Sequence, residues 1–265
     1  MRLINSKTFR LHEFDQSSPS IPRYAILSHT WEAGEEITFH DMSSFSSGSM
    51  RAPNLTKGFA KIMATCRLAW QDNLEYSINS MFRWYEKAAV CYVFLTDFIP
   101  GKVRLEACRW WTRGWTLQEL LASDVFAFYD STWEAIDTKN SLMKEISDIT
   151  HIEQTVLSDK SQIFSCSVSQ RMSWAASRKT TRIEDEAYCL LGIFGIHLPL
   201  LYGEGGMAFR RLQEEIIKRN ADLTIFFWNN PRDGMDDPQY ASLFAESPIS
   251  SIATGAFRFV AKWTY

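Results

Sequence analysis

Residues 24–31 read YAILSHTW and residues 89–95 read AVCYVFL. Each is a short apolar run with β-branched and aromatic residues, and the first is bounded by Pro22 and the polar Ser28-His29-Thr30. Runs of that length without polar alternation suit strands covered on both faces, and such strands belong to parallel sheets. Working outward, Phe59, Ile62, Met63, Cys66, Ala69 and Trp70 recur at i, i+3, i+4, i+7 and predict a helix. Ile78, Met81, Phe82 and Tyr85 predict a second helix from about Ser77, and VFAFY at 125–129 predicts a third strand. Met1–Phe14 alternates loosely and reads as extended, whereas SSFSSGSMRAPN at 43–54 is a loop by composition. Strands alternating with helices predict an α/β fold with a mostly parallel sheet flanked by helices.

Past residue 138 the pattern turns mainly helical. Segments near 140–149, 167–177, 182–194 and 207–219 carry helical spacing, and Thr181-Arg182-Ile183-Glu184 reads as a capping box opening the third. Leu223–Trp228 predicts a short β segment. The expected organisation is an α/β domain over 1–138 and a helical region over 139–265 packed on it.

The chain has 265 residues, 46% apolar and 22% charged, ordinary for a globular protein. A net charge of −3 gives no electrostatic case for nucleic acid or an anionic membrane surface. The five cysteines are an odd number, far apart and without a C-x-x-C pair, which predicts reduced thiols in the cytoplasm. The N-terminal residues lack the apolar stretch of a signal peptide, and no apolar run is long enough to span a bilayer. Neither the histidines nor the cysteines show metal-ligand spacing, so no metal is expected.

The residues with chemical potential gather in two places. Ser28 and His29 follow a predicted strand, where parallel α/β sheets form ligand crevices; the alternative is bonding to loop backbone. Trp31 and Trp115 suit stacking on a nucleotide ring or packing in the core. Arg113 suits a phosphate or a surface ion pair. Glu119 is a candidate catalytic carboxylate, or the last member of a Thr116-x-x-Glu119 capping box. LYGEGG at 201–206 places glycines before a helix, an anion cradle or simply a tight turn.

Several long stretches resemble the fungal heterokaryon-incompatibility (HET) domain: YAILSHTW (24–31), EEITFHDM (35–42), KGFAKIMATCRLA (57–69), INSMFRWYEKAAVCYVFL (78–95) and RWWTRGWTLQELLA (109–122). The stretch from SVSQRMSW to LQEEIIK (167–218), with LYGEG inside it, resembles the helical region that follows that domain. The resemblance implies an effector that triggers cell death when unlike fungal cells fuse. It also implies partners of the same kind: a second copy, or other HET or NOD-like receptor proteins. A more distant resemblance, carried by Leu27-Ser28-His29 and Trp115–Leu120, is to TIR domains. It implies a TIR-like fold in which Glu119 cleaves NAD at the nicotinamide–ribose bond. NAD would then be a substrate and not a cofactor, with Ser28, His29, Trp31, Arg113 and Trp115 around it. A non-enzymatic signalling or oligomerisation module and an inactive truncated copy are the alternatives.

Against the family pattern one strand is expected to be missing. A segment of the type Y-V-W-I-D-T-C-C-I-D should follow Leu74-Glu75-Tyr76, and here Tyr76 runs directly into SINSMFRWY. Two helices with no strand between them break the crossover rule of a parallel sheet. An exon lost in gene prediction, a degenerate copy, or a sheet that closes differently would each account for it.

Overall fold

The structure, a computed structural model, describes residues 2–14, 21–46, 56–72, 75–77, 82–226 and 244–248, with backbone alone for 46 and 75–77. The chain falls into two compact units, Met1–Trp111 with Glu119–Ile149, and Thr112–Gln118 with Thr150–Tyr265.

The first unit is an α/β layer. Its elements are β1 (Arg2–Ile4), β2 (Leu11–Glu13), β3 (Tyr24–His29), α1 (Phe39–Ser46), α2 (Lys57–Gln71), β4 (Glu75–Ser77), α3 (Phe82–Lys87) and β5 (Val90–Phe94). The chain continues through α4 (Trp115–Ala122), divided between the units, to β6 (Phe126–Tyr129), β7 (Ala135–Thr138) and α5 (Met143–Thr150). The sheet order is β2-β1-β4-β3-β5-β6-β7. The pairings β4·β3, β3·β5 and β5·β6 are parallel, while β2·β1, β1·β4 and β6·β7 are antiparallel. The expectation of a mostly parallel sheet therefore holds for the centre and is corrected at both flanks. The N-terminal hairpin and the β6–β7 connection are too short for a crossover helix, and short connections impose antiparallel neighbours.

The missing strand is also corrected. Glu75–Ser77 forms a strand, pairing in parallel with Tyr24–Ile26 and antiparallel with Leu3 and Ile4. Three residues suffice to bridge β1 to β3, so the sheet closes through a shortened strand. The helix expected from about Ser77 begins at Phe82, and residues 78–81 lie outside the described residues.

Strand alternation divides the buried residues between two faces. Ala25, Leu27, Val90, Tyr92 and Phe94 join Met42, Cys66 and Ala69 in one apolar cluster beneath α1 and α2. Ile26, Ser28, Cys91 and Val93 point the other way, as a period of two requires. Thr56 caps α2 by accepting a bond from the Phe59 amide (3.3 Å). The buried face of α2 is turned from its predicted stripe: Trp70 is 53% exposed, whereas Lys61 is 3% exposed.

The second unit is helical: α6 (Gln154–Ser158), α7 (Val168–Ser173), α8 (Asp185–Tyr188), α9 (Leu191–Phe194) and α10 (Met207–Arg219). The β segment predicted over 223–228 is corrected: Leu223–Phe226 is a 3-10 turn, and 227–228 lie outside the described residues. The Asp222 carboxylate accepts from the amides of Val168 (2.7 Å) and Thr224 (2.9 Å), and so curls the chain where a strand would run straight. No helix among the described residues is long and apolar enough to cross a membrane.

Candidate functional site

The order of the central strands makes a switch point between β3 and β5. From β3 the chain leaves toward β4 on one side, then returns across to β5 on the other, so the segments leaving β3 and β5 diverge. Such a switch point, beyond the carboxyl ends of the strands, is where open α/β sheets hold ligands. Thr30 and Thr96 meet there, Oγ1 to Oγ1, at 2.9 Å.

Ser28 and Glu119 are brought together despite lying 91 residues apart: the Ser28 hydroxyl donates to Glu119 Oε2. Trp110 Nε1 donates to Ser28 Oγ at 2.7 Å. An indole N–H can only donate, so the serine oxygen accepts from it and its own proton is directed to the carboxylate. Ser28 and Trp110 are fully buried and Glu119 is 6% exposed. The neighbouring Cys91 thiol is pushed up by its burial and further by the Glu119 charge, with Lys139 acting in the opposite sense. Thr116 lies inside α4, so it is not the N-cap that a capping box needs; its hydroxyl donates back to the Arg113 carbonyl at 2.9 Å.

Lys139 belongs to no motif in the sequence. It is 4% exposed, and its ammonium donates to the carbonyls of Leu120 (2.9 Å) and Ser123 (3.1 Å) while lying over the Phe126 ring. Those carbonyls end the helix that carries Glu119, where a cation completes both the bonding and the dipole. Lys139→Met is expected to lower stability by about 2 kcal/mol, the scale of lost charge-assisted bonds. Lys139→Arg should recover part of it; urea unfolding of the two variants measures both.

His29 goes elsewhere. As the neighbour of Ser28 on one strand it faces the opposite side of the sheet. Its Nδ1 lies 3.3 Å from Lys61 Nζ and 3.9 Å from Glu36 Oε1. Lys61 donates to Glu36 at 2.6 Å and to the Thr30 carbonyl at 3.3 Å. Trp31, 65% exposed, lies nearly parallel to the His29 ring at 6.5 Å between centroids. Along the same rim Arg109 is held by Asp97 (3.3 Å) and Glu32 (3.6 Å), and Lys57 bonds Glu32 at 2.9 Å. Lys57, first among the causes, holds the Glu32 carboxyl below its ordinary range. Ser28 and His29 therefore do not form one wall: Ser28 joins Glu119, and His29 joins Lys61, Glu36 and Trp31.

Arg113 and Trp115 belong to the second unit. The Arg113 carbonyl accepts from Arg178 (3.0 Å), and its backbone forms a bridge to Lys179. Trp115 is half-buried at the start of α4. Cys108 and Cys189 are pushed up to about 12 by burial, which removes them as thiolate nucleophiles near neutral pH.

The LYGEGG loop is an anion cradle already occupied by this chain. The Glu184 carboxylate accepts from the amides of Gly203 (2.7 Å) and Gly205 (3.1 Å), both at positive φ. Glu184 is the residue before α8, so the predicted capping box is replaced by this latch. Glu204 takes hydrogen bonds from Tyr188 (2.7 Å) and Arg211, which secures the loop from its other side. Backbone amides, its own first and then those of Gly203 and Gly205, hold the Glu184 carboxyl below its ordinary range. A depressed carboxylate stabilises the fold above its unfolded pKa and loses that contribution as pH falls through its folded value. The gap in thermal midpoint between the native chain and Glu184→Gln should accordingly be widest near neutral pH and narrow as pH is lowered through the carboxylate range.

A family model described as a domain of unknown function, DUF8212, matches residues 207–254. No solved structure matches. The chain is 39% identical to vegetative incompatibility protein HET-E-1 of Podospora anserina over 248 residues, 82% of this chain. The match spans 18% of the length of HET-E-1. Identity at this level over most of its length means that the chain belongs to the fungal heterokaryon-incompatibility (HET) family.

Proposed function

We propose that this chain is the effector domain of a fungal incompatibility protein, of TIR-like type, and that it triggers cell death by hydrolysing NAD at Glu119. One observation carries the reading: a carboxylate near the carboxyl end of a parallel sheet, oriented by Ser28 and Trp110. The TIR-like part is supported by the order of the four parallel strands, with the first between the second and third, as in a doubly wound sheet. In the proposed reaction the bond between nicotinamide nitrogen and ribose C1′ breaks and the pair of electrons leaves with nicotinamide. A water oxygen bonds to C1′ and releases a proton, giving ADP-ribose. Glu119 stabilises the positive charge that develops on the sugar.

A second reading has its own support. The near-complete burial of Ser28, Trp110 and Glu119 also suits a polar network that fixes the core of a contact module, acting on a second copy or on other HET or NOD-like receptor proteins. Measuring NAD and nicotinamide after inducing the full chain in yeast separates the two. Growth arrest with NAD loss, both abolished by Glu119→Gln, supports hydrolysis. Arrest with NAD intact, or arrest that survives Glu119→Gln, overturns it in favour of the module.

A further inference from the structure

The second unit holds a cleft of about 390 Å³, inside the range of small-molecule sites. One wall is the turn at 175–180, another is α8 through Glu186 and Cys189, and Ser247 with Pro248 closes a third side. That last segment is tied down: Gln213 donates to the Ala245 carbonyl and accepts from its amide, both at 2.9 Å. Gly114 lines the cleft because no larger residue fits. A Cβ there would come within 2.5 Å of the Thr180 side chain and 3.1 Å of the Cys189 sulfur.

Two groups of opposite sign line this space without meeting. Glu186 is half-buried, and among the described residues its carboxylate has neither a hydrogen-bond donor nor an ion-pair partner. Burial raises its pKa, with no cation acting against that rise. Lys179 has its backbone engaged, donating to the Thr112 carbonyl (2.6 Å) and accepting from the Gly114 amide (2.9 Å). Its ammonium has no ion-pair partner among the described residues. Arg178, the remaining cation, is committed to the carbonyls of Trp174 and Arg113 and to the Thr116 hydroxyl. A desolvated acid without a partner is costly unless something else supplies the donor. The rest of the lining includes the apolar Ala175, Ala176 and Pro248.

We propose that this cleft binds a small zwitterion of the amino-acid class, its ammonium against Glu186, its carboxylate against Lys179 and its side chain against the apolar wall. A ligand bearing only one charge would leave the opposite group unanswered. This site is independent of the Glu119 chemistry and does not require NAD hydrolysis.

The test is calorimetric titration of the full chain with leucine, glutamine and glycine, beside 3-methylbutylamine and 4-methylpentanoate as single-charge analogues of leucine. At least one amino acid should bind saturably, each single-charge analogue at least tenfold more weakly than leucine. Glu186→Gln and Lys179→Ala should each reduce affinity at least tenfold without moving the thermal midpoint. Absence of saturable binding up to millimolar concentration for all three amino acids overturns the proposal. So does equal binding of the single-charge analogues, or unchanged affinity in both variants.

Discussion

Glu119→Gln is expected to reduce nicotinamide release from NAD by about 10²–10³-fold or more, with a thermal midpoint within a few degrees of the native chain. The two side chains have the same shape, and the amide oxygen of glutamine still accepts the proton that Ser28 donates. What disappears is the negative charge that would meet a cationic sugar. Alanine is a poorer probe. It would leave the Ser28 hydroxyl without its acceptor in a fully buried place, at a cost of about 1–3 kcal/mol that confuses folding with catalysis. Trp110→Phe supplies the complementary case: it removes the N–H that fixes the serine while keeping the carboxylate, so a smaller loss of rate is expected. Nicotinamide release followed by chromatography, with circular dichroism on the same samples, checks all three. A glutamine variant as fast as the native chain would remove Glu119 from the chemistry.

The centre of the sheet was legible because its strands are continuous apolar runs bounded by polar residues, a pattern set by burial on both faces. The apolar runs Tyr24–Leu27 and Ala89–Leu95 match β3 and β5 to within two residues at either end. The flanks were less legible, since β1, β2 and β4 have three residues each and no period can be read from so few. Glu75–Ser77 in particular carries no strand signal of its own; it pairs because β1 and β3 leave a slot of matching register. Within the site, the stretches carrying Ser28 and Glu119 point to one crevice by resemblance, and a hydrogen bond joins the two side chains. His29 cannot share that wall, because consecutive strand residues face opposite sides, a consequence the sequence already contains. Lys61, Glu36 and Lys139 left no comparable trace. Their partners lie 25 or 19 positions away, and a buried lysine looks in sequence like any solvated one. Arg113 and Trp115 precede Glu119 closely in sequence but fold with the second unit, which a linear reading of RGWTLQELL does not reveal.

Gly58→Ala is expected to be the most destabilising single-methyl change in the first unit. A Cβ at this position would stand 2.6 Å from the Glu35 carbonyl oxygen, 2.8 Å from the Glu36 Cα and 2.8 Å from the Ile37 nitrogen. All three are backbone atoms, so no side chain can turn aside to make room. The residue is helical, near the start of α2, and helix propensity alone would favour alanine by about 1 kcal/mol. The steric term opposes that gain and wins, because the methyl cannot be placed without shifting either α2 or the 35–37 segment. Overpacking of this kind costs about 3 kcal/mol, which leaves a net loss of about 2 kcal/mol after the propensity gain, roughly 4–8 °C in thermal midpoint for a chain of this size. The consequence extends beyond stability. The Gly58 amide donates to the Glu35 carbonyl at 2.8 Å, and the next residue, Glu36, holds Lys61 beside His29. Moving that segment breaks the Lys61–Glu36 pair and leaves a lysine that is 3% exposed without its counter-charge. Gly58→Ala should therefore lower the midpoint by more than Glu36→Gln, which keeps the backbone in place and loses only the charge. Differential scanning calorimetry of the two variants gives that order directly, and an alanine variant as stable as the native chain would show that α2 does not press on the 35–37 backbone.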